Sequence, residues 1–504
     1  MGHRIGSLTG RMVAAVAVLG LAACQTAQTA GSEGAVQTAA YRSAEDQRIG
    51  DKAHAKILGQ FGGAYRNPGL QAYIGEIGAR ISAVSEQPGE KWTFTILDTP
   101  RVNAFALPGG YVYVTRGLLA LANDEAQLAG VIGHEIAHVT AGHATIRRDR
   151  QSMAQIGLTV GQIGLAAAGL HPGISAGAMQ AGQLATSGAL ARYSRSDELE
   201  ADSLGVRYLA QAGYDPYAQA EFLDSMTWSS ALRAQVAGKR YNPNRVEFFS
   251  SHPATADRTR EAILAAEQQG AIVRVGADRA RERYLKQING IAYGDSEAHG
   301  FVRGRRFSHP LLRFTYLAPR GFEISNASRA VRAEGPKGAR FILDGARSKA
   351  ASLSDYIRKT WVPGLAKSTE VAAVGTIRTR QINGLEAAEV VVEVKVNNRP
   401  FEALLVAVRL DGALYRLTGL VPGGSGLMPA VREAAESFRK LSIEEAKSLK
   451  PKRVVVTEVR EGDSIEALAA KMRVADAPRE QFEVLNGLKE GDLLVPGQKV
   501  KLIR

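Results

Sequence analysis

A multidomain α+β architecture is the fold class that this 504-residue sequence predicts. Three observations predict it. The length exceeds what one hydrophobic core serves and implies roughly two to four domains. Helical patterning dominates to about residue 287, broken by two short strand-like runs. A β-rich stretch closed by one helix then follows, and Lys450-Pro451-Lys452 opens a last short module. Hydrophobic content of 45% and charged content of 22% are those of a globular protein. The net charge of +13 is spread without the runs or aromatic-spaced stripes of a nucleic-acid face, so no nucleic-acid partner is expected. Work against an anionic membrane or cell wall suits that balance better.

The first element is "MGHRIGSLTGRMVAAVAVLGLAAC". Arg4 and Arg11 precede an apolar run from Met12 to Ala23 that is too short to span a bilayer and fits a signal peptide, residues 1–23. Leu21-Ala22-Ala23-Cys24 resembles the lipobox of bacterial lipoproteins, which would lipidate Cys24. The alternative is A-x-A cleavage nearby, with Cys24 discarded. Cys24 is the only cysteine and makes no internal disulfide, which favours the lipid anchor. Gln25 follows it, and by analogy with lipoprotein sorting the expected location is periplasmic, anchored at the outer membrane. Residues 24–42 read as a flexible tether.

From residue 43 the helical pattern of "SAEDQRIGDKAHAKILGQFGG" begins. "WTFTILD" and "GYVYVT" alternate β-branched and aromatic residues between Pro and Gly, which predicts two strands around "TPRVNAFALPGG". Helices resume from Arg116 to about Gly213. Within them residues 156–190 carry no Asp, Glu, Lys or Arg; they read as a packed helical hairpin turning at His171-Pro172-Gly173, or as a lid over a cleft. Runs such as "RFTYLAPRGFEISNAS" and "AAEVVVEVKV", closed by "AVREAAESFRKL", predict an α+β domain over 305–449. Its pattern is similar to the small PsbP/Mog1-like fold, and no cluster of acids, histidines or nucleophiles assigns it a role.

The chemistry concentrates in "VIGHEIAHVTAGH", residues 131–143. His134 and His138 stand one helical turn apart on one face, so both imidazoles can reach one Zn²⁺. Glu135 lies beside the first of them and can take a proton from a water there. The helix is otherwise apolar, and ionisable groups on it are costly unless paired or metal-bound. His143 is five residues past His138, roughly 140° around a straight helix. It therefore reads as a helix-end histidine or one that orients a ligand. A third ligand is sought in "YSRSDELEADSLG", where Glu198 and Asp202 share a helix face and Glu200 points away. Glu198 can bind the metal while Asp202 accepts the ring N–H of a liganding histidine. Gly205, without a side chain, allows close helix–helix approach.

HExxH followed some sixty residues later by ExxAD resembles the zinc metalloprotease family that holds HtpX, the CAAX-type Ste proteases and BepA. "NAFALPGGYVYVTRGLL" is similar to the strand before its HExxH helix, and "SHPATADRTREAI" to its HPxxxxR element. The resemblance covers about residues 43–267 and sets a protease domain at 43–290. It implies His134, His138 and Glu198 as ligands of one Zn²⁺ per chain and Glu135 as the catalytic base. Asp202 would support a ligand histidine from behind. His252 would be either a switch ligand that fills the open position or a packing residue. Arg258 would stabilise the oxyanion or pair with a carboxylate. Asn103, Ala104 and Phe105 would lie on a strand that pairs with substrate backbone. The implied substrates are unfolded or misassembled envelope proteins. An assembly factor with a gated, mostly silent zinc site, or a peptidoglycan endopeptidase, is the alternative.

"VTEVREGDSIEALAAKM" and "FEVLNGLKEGDLLVPGQKVKLIR" resemble a LysM domain over 453–504, which folds βααβ and commonly binds N-acetylglucosamine-containing glycans. Peptidoglycan is the partner this implies. The insert "RVADAPREQ" departs from the usual short linker, and a small packing domain without ligand is the alternative.

Overall fold

The computed structural model describes residues 43–143, 193–238, 240–241, 252, 256–269, 279–327, 330–346, 348, 350–367 and 369–504. The expected signal peptide, the tether with Cys24 and the uncharged stretch 156–190 lie outside the described residues. What is described is an α+β protein that mixes helices with sheets. No described helix is long and apolar enough to cross a membrane.

Helix α1 (Ala44–Phe61) starts from a reciprocal Ser43–Asp46 capping box and stops at Gly62. Helix α2 (Pro68–Ser82) has Asn67 as its cap and Pro68 in its first turn, where a missing N–H costs nothing. Strands β1 (Thr93–Leu97), β2 (Ala104–Leu107) and β3 (Tyr111–Thr115) form a sheet ordered β1-β3-β2, with β1 parallel and β2 antiparallel to β3. The two expected strands are β1 and β3; β2 comes from the "NAFAL" stretch between them and lies at the sheet's edge.

Helix α3 (Arg116–Leu121) leads into α4 (Glu125–Thr140), which carries the HExxH residues. Every residue of α4 except Val139 is buried. The helix is held at its start by Asp124, whose carboxylate accepts from Gln127 N, and by the Arg279 carbonyl, which accepts from Glu125 N and Ala126 N. Helices α5 (Arg195–Gln211), α6 (Ala218–Val236), α7 (Ala256–Gln268) and α8 (Arg281–Ile288) complete the helical part. Leu128 and Ile132 of α4, Ile74 and Ile81 of α2, Val206 of α5 and Phe222 of α6 share one core.

The β-rich part has two antiparallel sheets. The larger is built from β8 (Glu323–Ala327), β9 (Ala330–Glu334), β10 (Arg340–Ala346), β11 (Glu370–Val374), β12 (Arg378–Ile382), β13 (Leu385–Val396), β14 (Arg399–Leu410) and β15 (Ala413–Pro422). It runs β11-β13-β14-β15-β10-β9-β8, with β12 beside β13. Alternate residues of β14 point to opposite faces, so Leu404, Val406 and Val408 enter one core and Ala403, Leu405 and Ala407 another. The smaller sheet joins β5 (Phe301–Arg303), β6 (Arg306–His309), β7 (Phe314–Leu317) and β16 (Arg439–Lys440) in the order β16-β7-β6-β5.

The C-terminal module is β17 (Lys452–Glu458), two helices, Ile465–Ala469 and Pro478–Asn486, and β18 (Lys499–Ile503), which pairs antiparallel with β17. It packs into the core of the HExxH helix, to which Val454, Phe482, Leu485, Val500 and Leu502 contribute. Strand β17 also pairs with β4 (Ala292–Tyr293). Lys501 is fully buried and donates to the carbonyls of Ala120, Leu121 and Ala122, at 2.9, 3.1 and 2.7 Å. An amine on the last carbonyls of α3 satisfies acceptors that the helix leaves open, and complete burial, with Arg281 nearby, pushes its pKa well below the ordinary lysine value.

Candidate metal centre

Helices α4 and α5 cross closely because glycines meet at the crossing. A Cβ on Gly205 would lie 2.8 Å from Gln219 Oε1 and 3.0 Å from His134 N, and one on Gly133 3.4 Å from the Gly205 carbonyl. That approach brings Glu198 and Asp202 of α5 to the histidine face of α4. Both acids are buried, whereas the Glu200 side chain is 60% exposed.

Four donor residues converge. His134, His138, Glu198 and His252 offer one ligand atom each within 4.8 Å of one another, and all are buried. His134 Nε2 and His138 Nε2 are 3.0 Å apart, and each lies 3.6 Å from an oxygen of Glu198. His252 Nδ1 is 2.8 Å from Glu198 Oε1 and 3.4 Å from His134 Nε2. Glu135 is 3% exposed, with Oε1 3.8 Å from His252 Nε2. The sequence could not place His252 relative to the zinc motif; the structure puts it inside the donor set.

Behind these atoms stands a layer of fixed partners. His134 Nδ1 lies 2.9 Å from Asp202 Oδ1. Asp202 accepts from Arg258 Nε at 2.6 Å and Nη2 at 2.8 Å, and from Gln219 Nε2 at 2.8 Å. Arg258 Nη1 is 2.8 Å from Glu198 Oε2. Of the two roles left open for Arg258, pairing with carboxylates is the one these contacts describe. Burial alone would raise the Asp202 carboxyl, and the Arg258 guanidinium outweighs it, so the group is held well below its usual range. Glu198 is also lowered, since His252 and Arg258 together overcome its burial. Burial first, and the neighbouring histidines next, push His138 well below the ordinary imidazole range, so it is neutral and can present a lone pair.

The donor set fits a divalent cation. With Asp202 Oδ1 2.9 Å from its Nδ1, His134 can keep a proton on that side and a lone pair on Nε2, and that nitrogen faces the neutral His138 imidazole and the Glu198 carboxylate. Three buried carboxylates, Glu135, Glu198 and Asp202, surround one guanidinium. Burying that excess of negative charge is costly without a further cation. Burial alone would lower the His252 imidazole, but Glu198 and Glu135 outweigh it and hold the group above its ordinary range; a divalent ion would take over that compensation. Two or three imidazole nitrogens with one carboxylate oxygen is zinc's donor chemistry.

The remaining expected residues lie nearby. Just before β2, the Asn103 carbonyl accepts from Thr115 N and the Asn103 N–H donates to the Thr115 hydroxyl oxygen; Ala104 is buried, and the Phe105 ring stacks on Tyr113 at 4.8 Å. Edge strand β2 runs beside α4. Two residues were not singled out from sequence. Tyr193 stacks on the His138 ring with centroids 4.0 Å apart, and Gln219 braces Asp202. Tyr193 opens the glutamate segment and could have been found there; nothing in the sequence around Gln219 marks it.

Residues 68–264 match the model of peptidase family M48. That segment belongs to peptidase family M48. Within it lie α4, α5 and all four converging donors. The chain is 32% identical over 269 residues to a putative beta-barrel assembly-enhancing protease of Vibrio cholerae serotype O1, covering 52% of this chain and 53% of that protein. It is 29% identical over 215 residues to the beta-barrel assembly-enhancing protease of Escherichia coli K12, covering 41% of each. The mitochondrial metalloendopeptidase OMA1 of Schizosaccharomyces pombe is 31% identical over 224 residues, covering 43% of this chain and 59% of that protein. The chain thus spans about half the length of the curated relatives it matches, and the M48 segment is the part that matters for the site.

Proposed function

We propose that the chain is a zinc-dependent metalloendopeptidase of the bacterial cell envelope that cleaves misfolded or stalled envelope proteins. The observation that carries this reading is the convergence of His134, His138 and Glu198 next to a buried Glu135, inside the M48 segment. His134, His138 and Glu198 would hold one Zn²⁺. A bound zinc supplies Lewis-acid polarisation of a peptide carbonyl and makes a water more acidic. Glu135 takes the proton of the attacking water on its carboxylate and hands it to the leaving amine. Asp202, clamped by Arg258 and Gln219, keeps His134 in the tautomer whose Nε2 is free to ligate. Edge strand β2, with Asn103, Ala104 and Phe105, would pair with extended substrate backbone, which gives affinity without strong side-chain selectivity. Relatives named as assembly-enhancing proteases support envelope proteins as the substrate class.

His252 is the gate in this reading, because a fourth protein ligand leaves no open position for water. The same observation favours a second reading, an assembly factor whose site is mostly silent. The C-terminal module, with its strand-helix-helix-strand order, supports a LysM-like reading with peptidoglycan as partner, and the β-rich part a PsbP/Mog1-like one. A lipid on Cys24 would anchor the chain at the outer membrane.

The test is cleavage of unfolded casein by the purified protein, with and without a zinc chelator. Cleavage that the chelator stops and added zinc restores is expected; cleavage indifferent to chelation would contradict the proposal. Restoration of envelope integrity by a Glu135→Gln protein would favour the assembly factor. Release of soluble muropeptides from purified sacculi would favour a cell-wall hydrolase.

A further inference from the structure

The two helix-borne histidines are held from behind by different partners. For His134 the partner is the buried, doubly braced Asp202. For His138 it is another histidine: His138 Nδ1 and His143 Nδ1 are 2.8 Å apart, and His143 Nε2 lies 3.4 Å from Glu200 Oε2. A straight helix would point His143 elsewhere, but α4 ends at Thr140 and Gly142 turns the chain at φ 69°. That left-handed turn folds His143 back over the helix end, where it is 2% exposed. Glu200, on the opposite side of α5 from Glu198 and Asp202, reaches it from the solvent.

Only one proton can lie between two nitrogens 2.8 Å apart, and its owner decides what His138 can do. A carboxylate only accepts, so Glu200 selects the His143 tautomer with hydrogen on Nε2. The His143 Nδ1 lone pair then accepts from His138 Nδ1–H. His138 is left with its own lone pair on Nε2, the nitrogen that faces Glu198 and His134. With the opposite arrangement, His143 Nε2 would turn a lone pair toward a carboxylate, and His138 would aim an N–H at the donor set.

We infer that His143 and Glu200 are positioning residues that fix the metal-binding tautomer of His138, so that a solvent-exposed carboxylate governs one arm of a buried metal centre. The inference rests on the zinc reading of the site, and its test separates the two. Zinc affinity of the full chain is measured by competition with a chromophoric chelator for wild type, Glu200→Ala, His143→Ala, the double variant and Asp202→Asn as benchmark. Histidine nitrogen NMR of the metal-free proteins reads the His138 tautomer. Glu200 is exposed, so its variant keeps the fold. Glu200→Ala is expected to weaken zinc binding about tenfold and His143→Ala by about 10–100-fold, with no further loss in the double variant. The metal-free His138 should hold its proton on Nδ1 in wild type and become a tautomer mixture in Glu200→Ala. Unchanged zinc affinity in both single variants, with Asp202→Asn weakened, would overturn the inference, as would a His138 tautomer indifferent to Glu200. A wild type that binds no zinc would overturn the zinc reading instead, while the tautomer measurement would still decide whether the pair sets His138.

Discussion

Asp202 receives two guanidinium N–H groups, one amide N–H and an imidazole nitrogen at a fully buried position, so each partner depends on the others. Removing its charge leaves Arg258 buried with a weaker partner. Asp202→Asn is expected to cost about 3–5 kcal/mol by denaturant titration and to loosen zinc by about 10–100-fold. A stability within experimental error of wild type would contradict the arrangement. This layer was partly legible. HExxH and ExxAD are local spacings, and helical geometry turns them into faces without knowledge of the fold. His143 was legible as a helix-end histidine or one that orients a ligand, but its pairing with His138 was not, because a straight helix does not show the turn that Gly142 makes past the end of α4. The Arg258–Asp202 clamp joins residues 56 apart in sequence, and only the packing of α7 on α5 brings them together.

The distance between α4 and α5 decides whether Glu198 can share an ion with His134 and His138. Gly205 sets it, since any side chain there would meet Gln219 and the backbone of His134. Gly205→Ala is expected to push the helices apart, destabilise the protein by about 1–3 kcal/mol and weaken zinc binding. Thermal melting with zinc titration checks both effects, and wild-type zinc affinity in a folded Gly205→Ala protein would show that the crossing is not the constraint. That glycine could be read as an approach point because it lies on the Glu198–Asp202 side of α5. Strand β2 is a different case. Its four residues carry little alternation of their own, and it forms because β3 offers it a partner.

Across the whole molecule, the C-terminal module is joined to the helical part by a continuous core and by Lys501. Lys501→Met would keep most of the volume and strand the three carbonyls it caps. A loss of about 2–4 kcal/mol is expected, seen as a lower unfolding midpoint of the M48 part itself. A variant that melts only its C-terminal module would contradict the shared core. The sequence sets that module off at "KPK", but a buried lysine has no sequence signature: "VKLI" looks like any alternating strand. The β-rich part makes a separate prediction. Burial first, and His299 next, depress His309 from 6.5 to about 4. Between those values the unfolded chain binds a proton that the folded one does not, so stability falls as pH falls through that window. The loss is on the order of 3 kcal/mol, and His309→Gln should flatten it in urea titrations run from about pH 7 to about pH 4.5.

The central claim is that Glu135 serves as the base beside a zinc held by other residues. Glu135→Gln keeps the shape and removes the proton acceptor. Zinc content and casein cleavage measured on the same preparation of that variant test the claim most directly. One equivalent of zinc retained with cleavage reduced by about 10²–10⁴-fold is the predicted result; zinc retained with cleavage at the wild-type rate would contradict it.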